Sequence, residues 1–188
     1  MHAVADAVTP EQLLALPDEK DFELVDGRLV ERNMGSMSSW VGGRFYHWIA
    51  NYCEEHALGL VWPADNGMQY FPGSPNKVRK PDVTFVRRGR LPDDLPPEGY
   101  LRLAPDLVVE VVSPNDLALE VDRKVMEYLA AGVRLVWIVN PDLRVVRTYA
   151  ADGTCRWLRE DDELTGGDVL PGFVCRVETF FPPTQTPG

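Results

Sequence analysis

Apolar residues recur along the chain at two distinct spacings, and the changes from one to the other mark its elements. Thr9-Pro10-Glu11-Gln12 combines an N-cap threonine, proline at the first helical position and a capping-box glutamine; with Leu13, Leu14 and Leu16 it predicts a short opening helix. Phe22 to Val25 and Arg28 to Glu31 flank Asp26-Gly27, a strong turn signal, and predict an N-terminal hairpin. Met34 to Ser39 reads as a polar, glycine-containing loop. From about Ser39 to Ala57, Phe45, Trp48, Ile49, Tyr52 and Cys53 return every three or four residues, as on one face of a helix, with Gly59 as its stop.

Leu60 to Trp62 and Met68 to Phe71 read as short strands. Val78 to Val86 reads as a longer one, interrupted by Pro81, which cannot donate a ladder hydrogen bond and so belongs at an edge, an end or a bulge. Arg87 to Pro105, with Pro92, Pro96, Pro97, Gly89 and Gly99, is a long connection inside a domain. Asp106 to Val112 is a central-strand candidate, Ser113 to Asp116 supplies turn and cap chemistry, and Leu117 to Ala131 predicts a helix stopped by Gly132. Leu135 to Val139 is another strand apolar on both faces, so strand, helix and strand form a crossover unit whose pairing stays open. Leu143 to Tyr149, the Asp152-Gly153 turn and Thr154 to Leu158 predict a C-terminal hairpin, Glu160 to Glu163 a solvated turn, and Pro182 to Gly188 a frayed tail.

A length of 188 residues suits one domain, with its core over about residues 9–181. No stretch approaches the roughly 20 apolar residues of a membrane helix, and Met1 to Lys20 lacks a basic segment followed by an apolar run, so a cytoplasmic protein without membrane association is expected. The formal charge of -10 counts against a non-specific nucleic-acid coat protein but leaves room for a local basic groove. Lys77 to Arg102 is such a locally basic segment, read either as a solvated face or as a phosphate-contacting one. Cys53, Cys155 and Cys175 lie far apart and read as buried thiols, while His47 and His56 lack the spacing of a zinc pair. A metal here must be held by oxygen ligands.

Three residues break the apolar pattern. Glu110 lies between Val108-Val109 and Val111-Val112, with no obvious route to water, and an unpaired buried carboxylate costs several kcal/mol. It must be protonated, paired with a cation or bound to metal. Asp82 repeats the anomaly beside Val83 to Val86. Lys124 falls on the stripe Leu117, Val121, Lys124 and Tyr128, which a helix buries against a sheet. Two acids and a lysine on consecutive buried elements suit a hard divalent cation with a phosphate beside it. Plainer readings stand beside these: a structural Glu110–Lys124 ion pair, an ordinary Glu120–Lys124 helix pair, and Asp82 as a turn cap.

Pro81-Asp82, then Glu110-Val111-Val112, then a helix bearing Lys124, resembles the PD-(D/E)XK nuclease superfamily, and specifically the Uma-type family of restriction-endonuclease-like proteins. The resemblance extends over Phe22 to Gly27, Lys80 to Val83, Asp106 to Pro114, Asp122 to Tyr128, Gly132-Val133 and Trp137. Two departures matter. The superfamily lysine two residues after the glutamate is replaced by Val112, so the resemblance makes Lys124 the substitute; and in Met34 to Trp40, where the family often has histidine, this chain has Ser38 and Ser39.

The resemblance implies an α/β fold, a mixed central sheet flanked by helices with an N-terminal and a C-terminal hairpin, and metal-dependent phosphodiester hydrolysis. Asp82 and Glu110, with the main-chain carbonyl of Val111, would bind Mg2+ or Mn2+, and Lys124 would orient water or neutralise developing charge. Glu23 is a further acidic candidate, otherwise an exposed strand residue; Tyr128 reads as packing near the site. Arg79, Lys80, Arg87 and Arg88 would either steer a nucleic-acid backbone or solubilise the surface. The implied protein is an endodeoxyribonuclease acting on DNA as a homodimer. A nuclease-like binding module without turnover and a hydrolase for other phosphate esters are the alternatives.

Overall fold

The computed structural model describes residues 7–32 and 35–183. The opening helix α1 (Pro10–Leu14) has the expected reciprocal capping box: Thr9 accepts from the Gln12 backbone and Gln12 from that of Thr9. Strands β1 (Phe22–Val25) and β2 (Arg28–Glu31) pair antiparallel around Asp26 and Gly27, whose positive φ values of 51° and 74° are those of a tight hairpin turn. Helix α2 (Ser36–Glu55) starts inside the segment expected to be loop. Ser38 caps it by accepting from Gly35 N at 3.1 Å, so polar residues here cap a helix start instead of forming an irregular connection. Met34, the first residue of that expected loop, lies outside the described residues.

The centre of the molecule is a six-stranded sheet ordered β3 (Gly59–Pro63), β4 (Val83–Arg87), β5 (Leu107–Val111), β6 (Leu135–Asn140), β7 (Val145–Ala150) and β8 (Cys155–Leu158). Only β5 and β6 run parallel, joined across the sheet face by α3 (Ala118–Ala131), and the remaining neighbours are antiparallel. Gly132 ends α3 at φ 98°, a left-handed conformation that favours glycine.

Alternation along β5 sorts its side chains. Leu107, Val109 and Val111 face α2 and join Phe45, Ile49 and Trp137 in the larger core, while Val108 faces α3 and packs with Val121, Val125 and Tyr128. Glu110 has the parity of Val108, so its position on the strand aims it at α3. Leu117, expected on the buried stripe, is instead 64% exposed, because it caps α3 before the helical face is established.

Several expected strands are shorter. Val78 to Val86 is a strand only from Val83, after Pro81; residues 78 and 79 contribute isolated bridges to Leu24 and Met68. Met68 to Phe71 is likewise no strand, and Met68 alone bridges Arg79 and Leu101. The β7–β8 hairpin forms and extends the sheet, but it is not the last one. The acidic turn ends at Glu163, which opens β9 (Glu163–Gly166); β9 pairs with β10 (Leu170–Arg176), and this C-terminal hairpin covers the α2 side of the core through Leu164, Leu170 and Phe173. Of the expected frayed tail, residues 184–188 lie outside the described residues. Cys53 is buried, Cys175 half-buried and Cys155 exposed, so only the first matches the expected buried thiol; Cys155 sits on β8 at the sheet edge. Among the described residues no helix is long and apolar enough to cross a membrane.

Candidate active site

A cleft of about 580 Å3 opens where the β1–β2 hairpin, the start of α2, the end of β5 and the first turns of α3 meet; Glu23, Arg32, Asp82, Glu110, Val111 and Lys124 line it. Asp82 stands immediately before β4, beside β5, and its Oδ2 accepts from the backbone N–H of Val111 at 2.7 Å. Helix α2 passes close by: a Cβ on Gly42 would lie 3.5 Å from that of Asp82.

Glu110 projects to the α3 side, where its Oε1 accepts from the Tyr128 hydroxyl at 2.6 Å and its Oε2 from Lys124 Nζ at 3.2 Å. Its side chain is 12% exposed through the cleft, so the strand carboxylate has both a cation and a narrow route to water. Lys124 lies four residues before Tyr128 on the same helical face, and its Nζ also reaches Glu23 Oε1 at 3.3 Å. The helix thus delivers a hydroxyl and an ammonium to one strand carboxylate.

Glu23 is not the exposed strand residue of the plainer reading. It is 3% exposed, accepting from Arg79 Nη1 and from Lys80 N, each at 2.9 Å. Arg79 in turn donates through Nε and Nη2 to Glu127, which also accepts from Lys77 Nζ at 2.6 Å. Lys80 Nζ is buried against the Glu19 carboxylate. Arg79 and Lys80 are therefore committed to internal ion pairs, which corrects their reading as surface phosphate contacts. Their pairing partners come from β1, from the turn before it and from α3, and no local pattern foretells them. Arg87 is tied to the Asp168 carbonyl, and exposed Arg88 lies 3.7 Å from Asp94; neither lines the cleft.

These contacts set the charges. Burial pushes the Asp82 carboxyl up to about 7, Glu110 adding to the effect, against the Val111 N–H, Arg32 and Lys124. Burial also disfavours the charged forms of Lys124 and Glu23, but opposite charges outweigh it: Glu110 and Glu23 raise Lys124, while Lys124 and Arg79 hold Glu23 below the usual carboxylate range. Burial and Glu110 raise Tyr128 well above an ordinary phenol, so its hydroxyl remains a donor.

Among the described residues no three His, Cys, Asp or Glu side chains converge as a ready metal cage. The cleft brings together the Asp82 and Glu110 carboxylates with Val111, whose main-chain carbonyl is the third expected ligand, an all-oxygen set. Such a set fits an ion of the Mg2+ kind, which keeps several waters and takes only one or two protein carboxylates. Burial, with the neighbouring Glu110 charge, disfavours the ionised Asp82, and this is a second mark of fit, since a cation would favour the charged carboxylate.

Asp82, Glu110, Val111, Lys124 and Glu23, singled out in the sequence, thus share one cleft. Arg32, also on its lining, carried no sequence signal, being one charged residue at a strand end. Tyr128, one turn beyond Lys124 and read from the sequence as packing near the site with a contact to it as the alternative, makes that contact through its hydroxyl.

The family described as "Uma2: Putative restriction endonuclease" matches residues 10–178. No curated protein matches the chain. In crystal form, a putative nuclease belonging to DUF820 from Anabaena variabilis ATCC 29413 resembles it with a TM-score of 0.76 at 17% identity, over 92% of this chain and 97% of that one. At that identity the likeness is one of fold, and it agrees with the expected restriction-endonuclease-like mixed sheet flanked by helices. The family match spans the hairpin, the sheet and both long helices that together frame the cleft, and on that match the chain belongs to the Uma2 family of putative restriction endonucleases.

Proposed function

We propose that the protein is a metal-dependent endonuclease that hydrolyses DNA phosphodiester bonds by PD-(D/E)XK-type chemistry, its lysine supplied by α3. The observation that carries this reading is Lys124 Nζ at 3.2 Å from Glu110. The ammonium comes from the helix to the carboxylate that the strand itself, with Val112 at the usual lysine position, leaves without a lysine neighbour.

Asp82 and Glu110, with the Val111 carbonyl, would hold Mg2+ or Mn2+. When bound, that ion would supply Lewis-acid activation of water and neutralise charge at the phosphate. Asp82 is oriented by the Val111 N–H and Glu110 by the Tyr128 hydroxyl, so neither carboxylate needs to reorganise as charge develops. Lys124, kept protonated by Glu110 and Glu23, orients the attacking water as a donor and stabilises negative charge on the phosphoryl oxygens. In the net reaction the water oxygen bonds to phosphorus as one P–O ester bond breaks, giving a phosphate monoester and a free hydroxyl. Glu23 acts by holding Lys124 through a second carboxylate contact beside that of Glu110. One site per chain suits a twofold homodimer for cutting both strands.

A nucleic-acid or protein binding module without turnover is the second reading; within it the formal charge of -10 favours the protein partner. The deciding experiment incubates supercoiled plasmid, linear duplex and single-stranded DNA with the purified protein and Mg2+ or Mn2+, beside Glu110→Gln and Lys124→Ala. Cleavage by wild type that both folded variants lose supports the nuclease. No cleavage of any substrate, with no metal-dependent rise in melting temperature, favours the binding module.

A further inference from the structure

The mechanism above assigns no task to Arg32, a cation on the lining of the cleft. Arg32 follows β2, and its side chain is only 8% exposed. Nη1 is held from behind, donating to the Lys20 carbonyl and to Asp65 Oδ1, each at 3.0 Å. Among the described residues these are the only hydrogen bonds its guanidinium makes. Nη2 points toward Asp82 Oδ1 but stops at 3.9 Å, beyond hydrogen-bond reach. A planar fork on the cleft lining is thus anchored through one nitrogen, with Nη2 beside a carboxylate of the candidate metal site.

The other cations on the lining differ. Lys124 is shared between Glu110 and Glu23, Arg79 between Glu23 and Glu127, and Lys80 is buried on Glu19. Arg28 and Arg123 are exposed. Arg32 alone among these is both buried and incompletely bonded. A cation placed only to balance Asp82 would close onto it with a direct hydrogen bond. One held a little apart leaves room for an oxygen anion to enter between the guanidinium and a metal.

We propose that Arg32 is a catalytic residue that takes a non-bridging oxygen of the scissile phosphodiester on Nη2 and Nε, while Nη1 stays pinned to Lys20 and Asp65. The inference rests on the nuclease reading for its substrate class. A guanidinium matches phosphate geometry through paired N–H groups, and the anchored half means little conformational freedom is lost on binding. It would approach the phosphate from the hairpin side, while Lys124 approaches from α3.

The test compares wild type with Arg32→Met, Arg32→Lys and Asp65→Asn by three readouts: cleavage, affinity for a short hydrolysis-resistant phosphorothioate oligonucleotide with Mn2+, and affinity for Mn2+ alone. Arg32→Met is expected to lower kcat/KM about 100-fold and oligonucleotide affinity about tenfold. Its Mn2+ affinity should hold or rise, because a positive charge 3.9 Å from Asp82 is removed. Arg32→Lys, which can keep the anchor but loses the fork, should fall between, and it stands in should the methionine variant not fold. A mere strut between Lys20 and Asp65 would lower the melting temperature alike in Arg32→Met and Asp65→Asn and leave oligonucleotide affinity at the wild-type level, which overturns the proposal. If wild type cleaves and both Arg32 variants cleave and bind like it, the proposal fails and the nuclease reading stands. Arg32-dependent oligonucleotide binding without wild-type cleavage keeps Arg32 as a phosphate ligand and removes the nuclease. No oligonucleotide binding by wild type removes both.

Discussion

Replacing Glu23 with glutamine removes one negative charge from the interior and keeps its shape. The carboxylate is 3% exposed and accepts from Arg79 and from the Lys80 backbone, each at 2.9 Å, and from Lys124 at 3.3 Å. Breaking a buried ion pair from one side costs about 3–5 kcal/mol, because the partner charge stays behind. Here Arg79 retains Glu127 and Lys124 retains Glu110, which places the cost at the low end, about 3 kcal/mol. In a domain of this size each kcal/mol moves Tm by roughly 2–4 °C, so the variant should melt about 6–12 °C lower. Urea unfolding of Glu23→Gln, Arg79→Met and the double variant isolates the pair, with an expected coupling above about 1 kcal/mol. Strictly additive single effects, or a Glu23→Gln loss under about 1 kcal/mol, would refute a charged, paired interior. The acid limb gives an independent check. Burial raises Glu23, but Lys124 and Arg79 outweigh it and hold the pKa below its ordinary 4.5. Its stabilising contribution is therefore complete above that pH and is lost as pH falls through the lower folded value. Glu23→Gln should flatten this part of the stability profile.

Tyr128→Phe removes the donor 2.6 Å from Glu110 Oε1 at a fully buried position. A hydrogen bond to a charged group contributes about 1.5–3 kcal/mol, so the melting temperature should fall and cleavage weaken while both carboxylates remain; an unchanged melting curve would contradict the contact. Manganese should raise the melting temperature more at about pH 8 than at about pH 6, because Asp82, pushed up to about 7 by burial and Glu110, must give up its proton to bind a cation below that value. In metal-free protein the same group works in the opposite direction. Its ionisation opposes the fold, increasingly as pH rises from the ordinary 3.8 through about 7. Equal manganese shifts at both pH values would dissociate Asp82 from the ion.

Features closed within a few residues were legible in the sequence. The α1 capping box, the Asp26-Gly27 turn and the Gly132 stop each depend on near neighbours and backbone dihedrals, and all three stand where their residue types place them. Glu110 was legible for a different reason, as a charge in an apolar strand, which demands a compensating partner. The start of α2 differs from the sequence expectation because Ser36, Ser38 and Ser39 suit a loop as well as a helix N-terminus. The β9–β10 hairpin has a register shift between Leu170 and Val174, and so β10 presents neither a continuous apolar run nor an unbroken alternation.

The sequence by itself determined the local elements, the order of strand, helix and strand, and the anomalous carboxylates, because hydrophobic period, capping and turn chemistry act over a few residues. The tertiary structure alone decided the parallel β5–β6 pairing and the inward fate of an apparently basic segment: Arg79 meets Glu23 across 56 positions and Lys80 meets Glu19 across 61. It also decided that Arg32 reaches the cleft. Ion pairs between distant elements have no period and no local signature; they are specified only when packing brings the elements together and burial makes an unpaired charge costly.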